Sequence, residues 1–143
     1  MSGVISLNGK VAFDSSVLVE LFGDSELGRS IYSKLKDGDV TVYTSRINLA
    51  EATYITCRKV GHEKAQSAAK DLLDSGYIVL EEDPGVHEVA SRIKCERGIA
   101  LADCYTFAVA HVTGASPVFA RQESELTREA KKRPFDISPT FLS

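Results

Sequence analysis

Three acidic residues stand at positions where acids are usually avoided, and each would aim its carboxylate into the fold. Asp14 closes a short apolar run, Val11-Ala12-Phe13, where a strand hands over to a helix. In an open parallel sheet that is the edge where ligands bind, although the same position also suits a helix N-cap. Glu51 falls at i+4 spacing between Ile47 and Ile55, in a stripe of Ile47, Glu51, Tyr54, Ile55 and Arg58 that the helical period directs inward. A charge on that face needs a partner, either an arginine such as Arg46 or Arg58 or a bound cation. Asp103 is the only formal charge before His111 in the apolar run from Leu101 to Val112, and it lies in the first turn. The helix dipole favours an acid at that end but does not account for the lack of any other charge. Carboxylates converging from three separate elements make an all-oxygen donor set, which suits Mg²⁺ or Mn²⁺ far better than zinc. Such sets serve phosphate-ester chemistry, where the ion neutralises the phosphate, activates a water and stabilises the leaving oxygen.

The elements that must position these residues alternate along the chain. Val11–Phe13 reads as a strand, and the apolar positions after Asp14 read as a helix. A second helix is expected over Glu26–Lys36, stopped by Asp37-Gly38-Asp39, before the β-rich run Val40–Tyr43. Thr44-Ser45 opens the helix that carries Glu51; a further helix spans Glu63–Asp74, and Tyr77–Leu80 is a strand. Pro84 starts the next helix, which ends near Gly98; Leu101–Val112 is a helix apolar on nearly every side and therefore buried. A short strand Val118-Phe119, a charged helix from about Gln122 to Lys132 and an extended piece near Phe135-Asp136-Ile137 complete the chain. This alternation predicts an α/β domain of three layers around a mainly parallel sheet, with residues 1–143 as one domain.

Composition narrows the possible functions. A chain of 143 residues, 43% apolar and 26% charged, is an ordinary globular domain able to bury its own core. No stretch approaches the ~20 consecutive apolar residues of a membrane span. Met1 to Leu7 has neither a basic n-region nor a long apolar run, so the expected setting is cytoplasmic and reducing. Cys57, Cys95 and Cys104 are odd in number, widely spaced and without a Cys-x-x-Cys pair, so neither a disulfide framework nor a zinc site is indicated. A net charge of −3 means that any nucleic acid would be held by a local basic patch or by metal ions.

The runs Val11-Ala12-Phe13-Asp14-Ser15-Ser16-Val17-Leu18, Ser45-Arg46-Ile47-Asn48-Leu49-Ala50-Glu51 and Leu101-Ala102-Asp103 resemble, in order and spacing, the successive motifs of PIN-domain ribonucleases, and most closely the VapC-type toxins of toxin–antitoxin pairs. The resemblance implies a PIN-like fold and divalent-metal-dependent cleavage of RNA. It makes Asp14, Glu51 and Asp103 the metal-binding acids, and Ser16 the hydroxyl residue that supports the first of them. At the family's fourth acid this chain has Gln122, in Val118-Phe119-Ala120-Arg121-Gln122-Glu123, so Glu123 or Glu125 would have to substitute after a small shift. The implied partners are an RNA substrate and an antitoxin protein whose C-terminal segment covers the acidic groove and places an arginine among the carboxylates. Leftover apolar helix surface suggests a homodimer, as the family commonly forms.

Other classes remain open on the sequence. One is a PIN-like RNA-binding or assembly subunit with weak catalysis; another is an unrelated α/β phosphohydrolase acting on a small molecule. The segment Gly23–Ser30 nearly spells a P-loop, but Arg29 replaces the lysine and the segment follows a helix, so it reads as a turn and cap. His62, His87 and His111 have no ligand spacing. Arg121, Arg128, Lys131, Lys132 and Arg133 outnumber Glu123, Glu125 and Glu129, giving either a solvated helix face or a docking strip for an RNA backbone.

Overall fold

Strand alternation decides how the layers stack. Val11 and Phe13 point to one face of the sheet and Ala12 to the other, and each face collects its own apolar cluster. The computed structural model describes residues 7–143, so the reading of Met1 to Ser6 lies outside the described residues. The elements run β1 (Gly9–Phe13), α1 (Ser15–Phe22), α2 (Glu26–Asp37), β2 (Val40–Thr44), α3 (Arg46–Val60), α4 (His62–Asp74), β3 (Ile78–Leu80), α5 (Pro84–Glu96), α6 (Leu101–Thr113), β4 (Ser116–Phe119), α7 (Ser124–Lys132) and β5 (Thr140–Phe141). The five strands pair in the order β3-β2-β1-β4-β5, and every pairing is parallel. The result is the three-layer α/β arrangement expected from the alternation.

One cluster joins Val11, Phe13, Val42, Ile78 and Val118 of the sheet to Leu18 of α1, Ile31 and Leu35 of α2 and Leu72 of α4. The other joins Ala12 and Phe119 to Val86 and Ala90 of α5, Phe107 and Val109 of α6 and Leu126 of α7. Each layer thus owes its place to apolar burial at roughly 25 cal/mol per Å². Gly28 lets α2 lie close against α1, because a Cβ there would sit 2.1 Å from the Glu20 carbonyl oxygen. Ser25, within the segment that imitates a P-loop, caps α2 by accepting from Gly28 N at 3.0 Å. That segment is a turn and cap, as the sequence indicates.

Two expectations are corrected. The last strand is not at Phe135–Ile137 but at Thr140–Phe141, paired to the end of β4. Phe135 instead stacks on Phe107, with ring centroids 4.4 Å apart, so its apolar surface is buried through a loop rather than through a strand. The inner face of α3 is not the Ile47–Arg58 stripe either. Asn48, Ala52, Thr53 and Thr56 are the buried positions, while Ile47 and Tyr54 are 38% and 48% exposed. Asn48 is fully hydrogen-bonded where it lies, and a satisfied buried amide next to small side chains permits closer helix packing than a row of isoleucines. The buried helix expected at Leu101–Val112 is present as α6, with Ala102, Asp103, Cys104 and Thr106 to Ala110 inside.

Candidate metal centre

The chain changes direction in the sheet between β1 and β4: β2 and β3 lie to one side, β5 to the other. At such a switch point the loops leaving the carboxyl ends of neighbouring strands diverge and leave a crevice. Asp14 leaves β1 into this crevice and Glu123 follows β4 into it, just ahead of α7. Asp103, in the first turn of α6, closes the third side. One carboxylate oxygen from each of Asp14, Asp103 and Glu123 can be chosen so that all lie within 4.8 Å of one another, which is the one such metal-ligand grouping among the described residues. Asp14 and Asp103 are buried and Glu123 is half-buried.

Asp14 both caps a helix and faces the site. Its Oδ2 accepts from the backbone N of Ser16 at 2.9 Å, which caps α1, and its Oδ1 accepts from the hydroxyl of Thr106 at 2.8 Å. Its own backbone N donates to Val118 O at 2.9 Å, extending the β1–β4 pairing by one step. Ser16 therefore supports Asp14 through its backbone. Its hydroxyl accepts from Ala120 N at 3.0 Å and so ties the start of the β4–α7 loop to α1. Arg121, the next residue, pairs with Glu20 at 3.1 Å, a second tie between that loop and α1.

Asp103 has the opposite environment. Its Oδ2 is buried without a hydrogen-bond partner among the described residues. Burial, and then the charges of Asp14, Glu123, Glu51 and Glu125, push its carboxyl up to about 8. Burial raises Glu123 as well, with Asp14, Glu125 and Glu51 adding to it; a hydrogen bond to Asp103 acts the other way. No ion pair among the described residues engages Asp14, Glu51, Asp103 or Glu123.

Glu51 is half-buried on α3 and lies outside the tight trio, yet its charge is felt by both Asp103 and Glu123. The ion pair that could have explained it is not formed. Arg46 pairs with Glu82, and Arg58 lies over the ring of Tyr54 at 5.0 Å. Of the two substitutes for the fourth acid, Glu123 is the one in the cluster; Gln122 and Glu125 are exposed. The sequence reading missed Asn48 and Thr106. Their signal was available: an amide three residues after a helix-capping Ser45, and a hydroxyl one turn after the lone acid of an apolar helix.

These residues fit a hard divalent cation. All the donors are oxygens, no lysine or arginine among the described residues forms an ion pair with them, and a buried carboxylate oxygen of Asp103 lacks a partner although like charges surround that group.

An all-parallel five-stranded sheet with acids gathered at its switch point defines the class of fold, and the sequence comparison gives its family: residues 11–130 match the PIN domain family, to which this chain belongs. No curated protein matches the sequence. Among solved structures the chain is similar to VapC20 of Mycobacterium tuberculosis, described as a sarcin-ricin loop cleaving toxin. The identity is 21% and the TM-score 0.62, covering 82% of this chain and 93% of that one. It is also similar to VapBC2 from Rickettsia felis bound to a DNA fragment from its promoter, at 15% identity and TM-score 0.67, covering 94% and 100%. FitAcB from Neisseria gonorrhoeae gives 19% identity and TM-score 0.55, covering 91% and 96%.

Proposed function

We propose that this chain, read as a single PIN-like domain, is a divalent-metal-dependent endoribonuclease and the toxin component of a type II toxin–antitoxin pair. The observation that carries the reading is the buried Asp103 carboxylate, left without a counter-charge beside Asp14 and Glu123 at the sheet's switch point. Asp14, Asp103 and Glu123 would hold Mg²⁺ or Mn²⁺, with Glu51 contributing from the α3 side. When bound, the ion would supply charge neutralisation at the phosphodiester, an acidified water and support for the leaving oxygen.

The protein's own groups do the rest. Ser16 N and the Thr106 hydroxyl each donate to a different oxygen of Asp14, which fixes that carboxylate in orientation. Arg128 and Lys131 line a groove with Gln122 and Glu123, and this puts positive charge beside the acids, where a phosphate backbone can be gripped. The toxin–antitoxin complexes among the similar structures support an antitoxin partner. Exposed Ile47, Tyr54, Val60 and Leu101 supply apolar surface for that partner or for a homodimer. The described residues include no helix long and apolar enough to cross a membrane, which is compatible with the proposed cytoplasmic setting.

Cleavage of a mixed-sequence RNA panel by purified, antitoxin-free protein in Mg²⁺ and in Mn²⁺ tests this reading. Wild type should cut in at least one metal. Asp14→Asn, Glu51→Gln and Glu123→Gln should each lose at least roughly a hundredfold in rate, while Glu125→Gln stays within about threefold of wild type. A wild-type protein that binds RNA but cuts nothing in either metal would overturn the nuclease assignment in favour of an RNA-binding subunit.

A further inference from the structure

The α3–α6 interface contains a row of side-chain hydrogen bonds that ends on Asp14, and its donors all point the same way. Ser45, which caps α3, accepts from the backbone N of Asn48 at 3.0 Å, so its single hydroxyl proton is free to go to Asn48 Oδ1, 2.6 Å away. That fixes the amide with its nitrogen toward α6. Asn48 Nδ2 then has three acceptors in reach: Thr106 Oγ1 at 3.1 Å, the Ala102 carbonyl at 3.0 Å and Ser15 Oγ at 3.1 Å.

Thr106 has one hydroxyl proton and two places to put it. A threonine inside a helix ordinarily bonds back to the carbonyl four residues earlier, here Ala102 O at 3.2 Å. The Asp14 carboxylate is nearer, at 2.8 Å, and carries charge, while Ala102 O is already engaged by Asn48. All of these groups are buried: Asn48 and Thr106 are 0% exposed and Ser45 and Asp14 2%. Water therefore cannot replace a missing donor, and aligned donors in a low-dielectric interior strengthen one another.

We infer that Asn48 and Thr106 are positioning residues that steer a hydroxyl proton onto Oδ1 of Asp14 and thereby hold that carboxylate in the orientation that binds the cation. The inference rests on the metal-centre reading and deepens it. With Ser16 N on Oδ2 and Thr106 on Oδ1, each oxygen of Asp14 has one fixed donor, and one of the two lies within 4.8 Å of carboxylate oxygens of Asp103 and Glu123. Asn48 acts through Thr106 and touches no reacting group.

Thr106→Val is the informative variant. It keeps the shape of the side chain, and the two amide hydrogens of Asn48 still find Ala102 O and Ser15 Oγ, so no buried donor is orphaned and the protein folds. Calorimetric titration with Mn²⁺ alone should show roughly ten- to hundredfold weaker binding by Thr106→Val than by wild type. Thr106→Ser, which restores the hydroxyl, should recover affinity to within about threefold. Thr113→Val serves as control: it removes a hydroxyl bond to Val109 O on the same helix and should bind Mn²⁺ like wild type. Asn48→Ala should weaken binding by itself and add nothing in the Thr106→Val background, because both losses act through one bond. In the cleavage assay Thr106→Val should lower kcat and leave KM near wild type.

Wild-type Mn²⁺ affinity in Thr106→Val, or failure of Thr106→Ser to restore it, would overturn the relay. If Asp14→Asn has lost binding at the same time, the metal centre itself stands. If wild type binds Mn²⁺ no better than Asp14→Asn, the metal centre falls and the relay with it.

Discussion

Asp103 and Asp14 are two aspartates that the fold treats in opposite ways. Asp14 is given two donors; Asp103 is given burial and like charges. The Asp103 carboxyl titrates near 3.8 when unfolded and at about 8 in the fold, so between those values the folded state holds more protons than the unfolded state. Its contribution to stability is therefore fully present at low pH and is lost as pH rises through that window. In chelator, the melting temperature of wild type should fall from about pH 5 to about pH 8 more steeply than that of Asp103→Asn, which cannot ionise. At about pH 8 the variant should be the more stable by on the order of 1–3 kcal/mol, and it should gain less from excess Mn²⁺. An Asp103→Asn protein less stable than wild type in chelator would mean that the charge is there for the α6 dipole. These acids were legible in the sequence because a charge in an apolar setting has few innocent explanations. Asn48 and Thr106 carried only the weak signal of their spacing from Ser45 and Asp103, since an uncharged polar side chain within a helix gains meaning only from partners on other elements.

At the scale of elements, the sequence showed every helix and four of the five strands, because hydrophobic period and turn residues are local signals. It misplaced β5 and misjudged the face of α3 because both depend on contacts distant in sequence. The end of the chain shows the cause. Arg97, at the end of α5, has a side chain only 7% exposed, donates to the carbonyls of Arg133 and Pro134 at 2.6 and 2.9 Å, and lies 4.3 Å from the centre of the Phe135 ring. Glu129 of α7 stands 3.8 Å from it. This guanidinium fastens residues 133–135 as a loop, and β5 forms only beyond it. Arg97→Lys keeps the charge but cannot serve both carbonyls and the ring from one planar group. It should cost about 2 kcal/mol, or roughly 5–10 °C in melting temperature, with faster amide exchange confined to the chain after α7. An unchanged melt would show that the Phe107–Phe135 stack holds the loop unaided.

Over the whole molecule, charge is divided by location: the crevice is acidic, and the cations that face it stand on α7. Lys132 is engaged with Glu129 at 3.6 Å, whereas Arg128 and Lys131 line the groove beside Glu123. Lys131→Glu should therefore weaken RNA binding more than Lys132→Glu and lower the salt dependence by roughly 0.7 in log–log slope for each lost phosphate contact, as filter binding at several salt concentrations would measure. Equal effects of the two reversals would place the RNA elsewhere. The switch point between β1 and β4 also has a consequence in time. The Thr106–Asp14 bond spans 92 residues of chain and the Ala120–Ser16 bond 104, so the crevice joins β1 to elements about a hundred residues later in the chain. On the ribosome, a chain whose β4 is still in the exit tunnel exposes Asp14 without Glu123 opposite it. In this reading the metal centre is incomplete until β4 and the loop after it have emerged to meet β1.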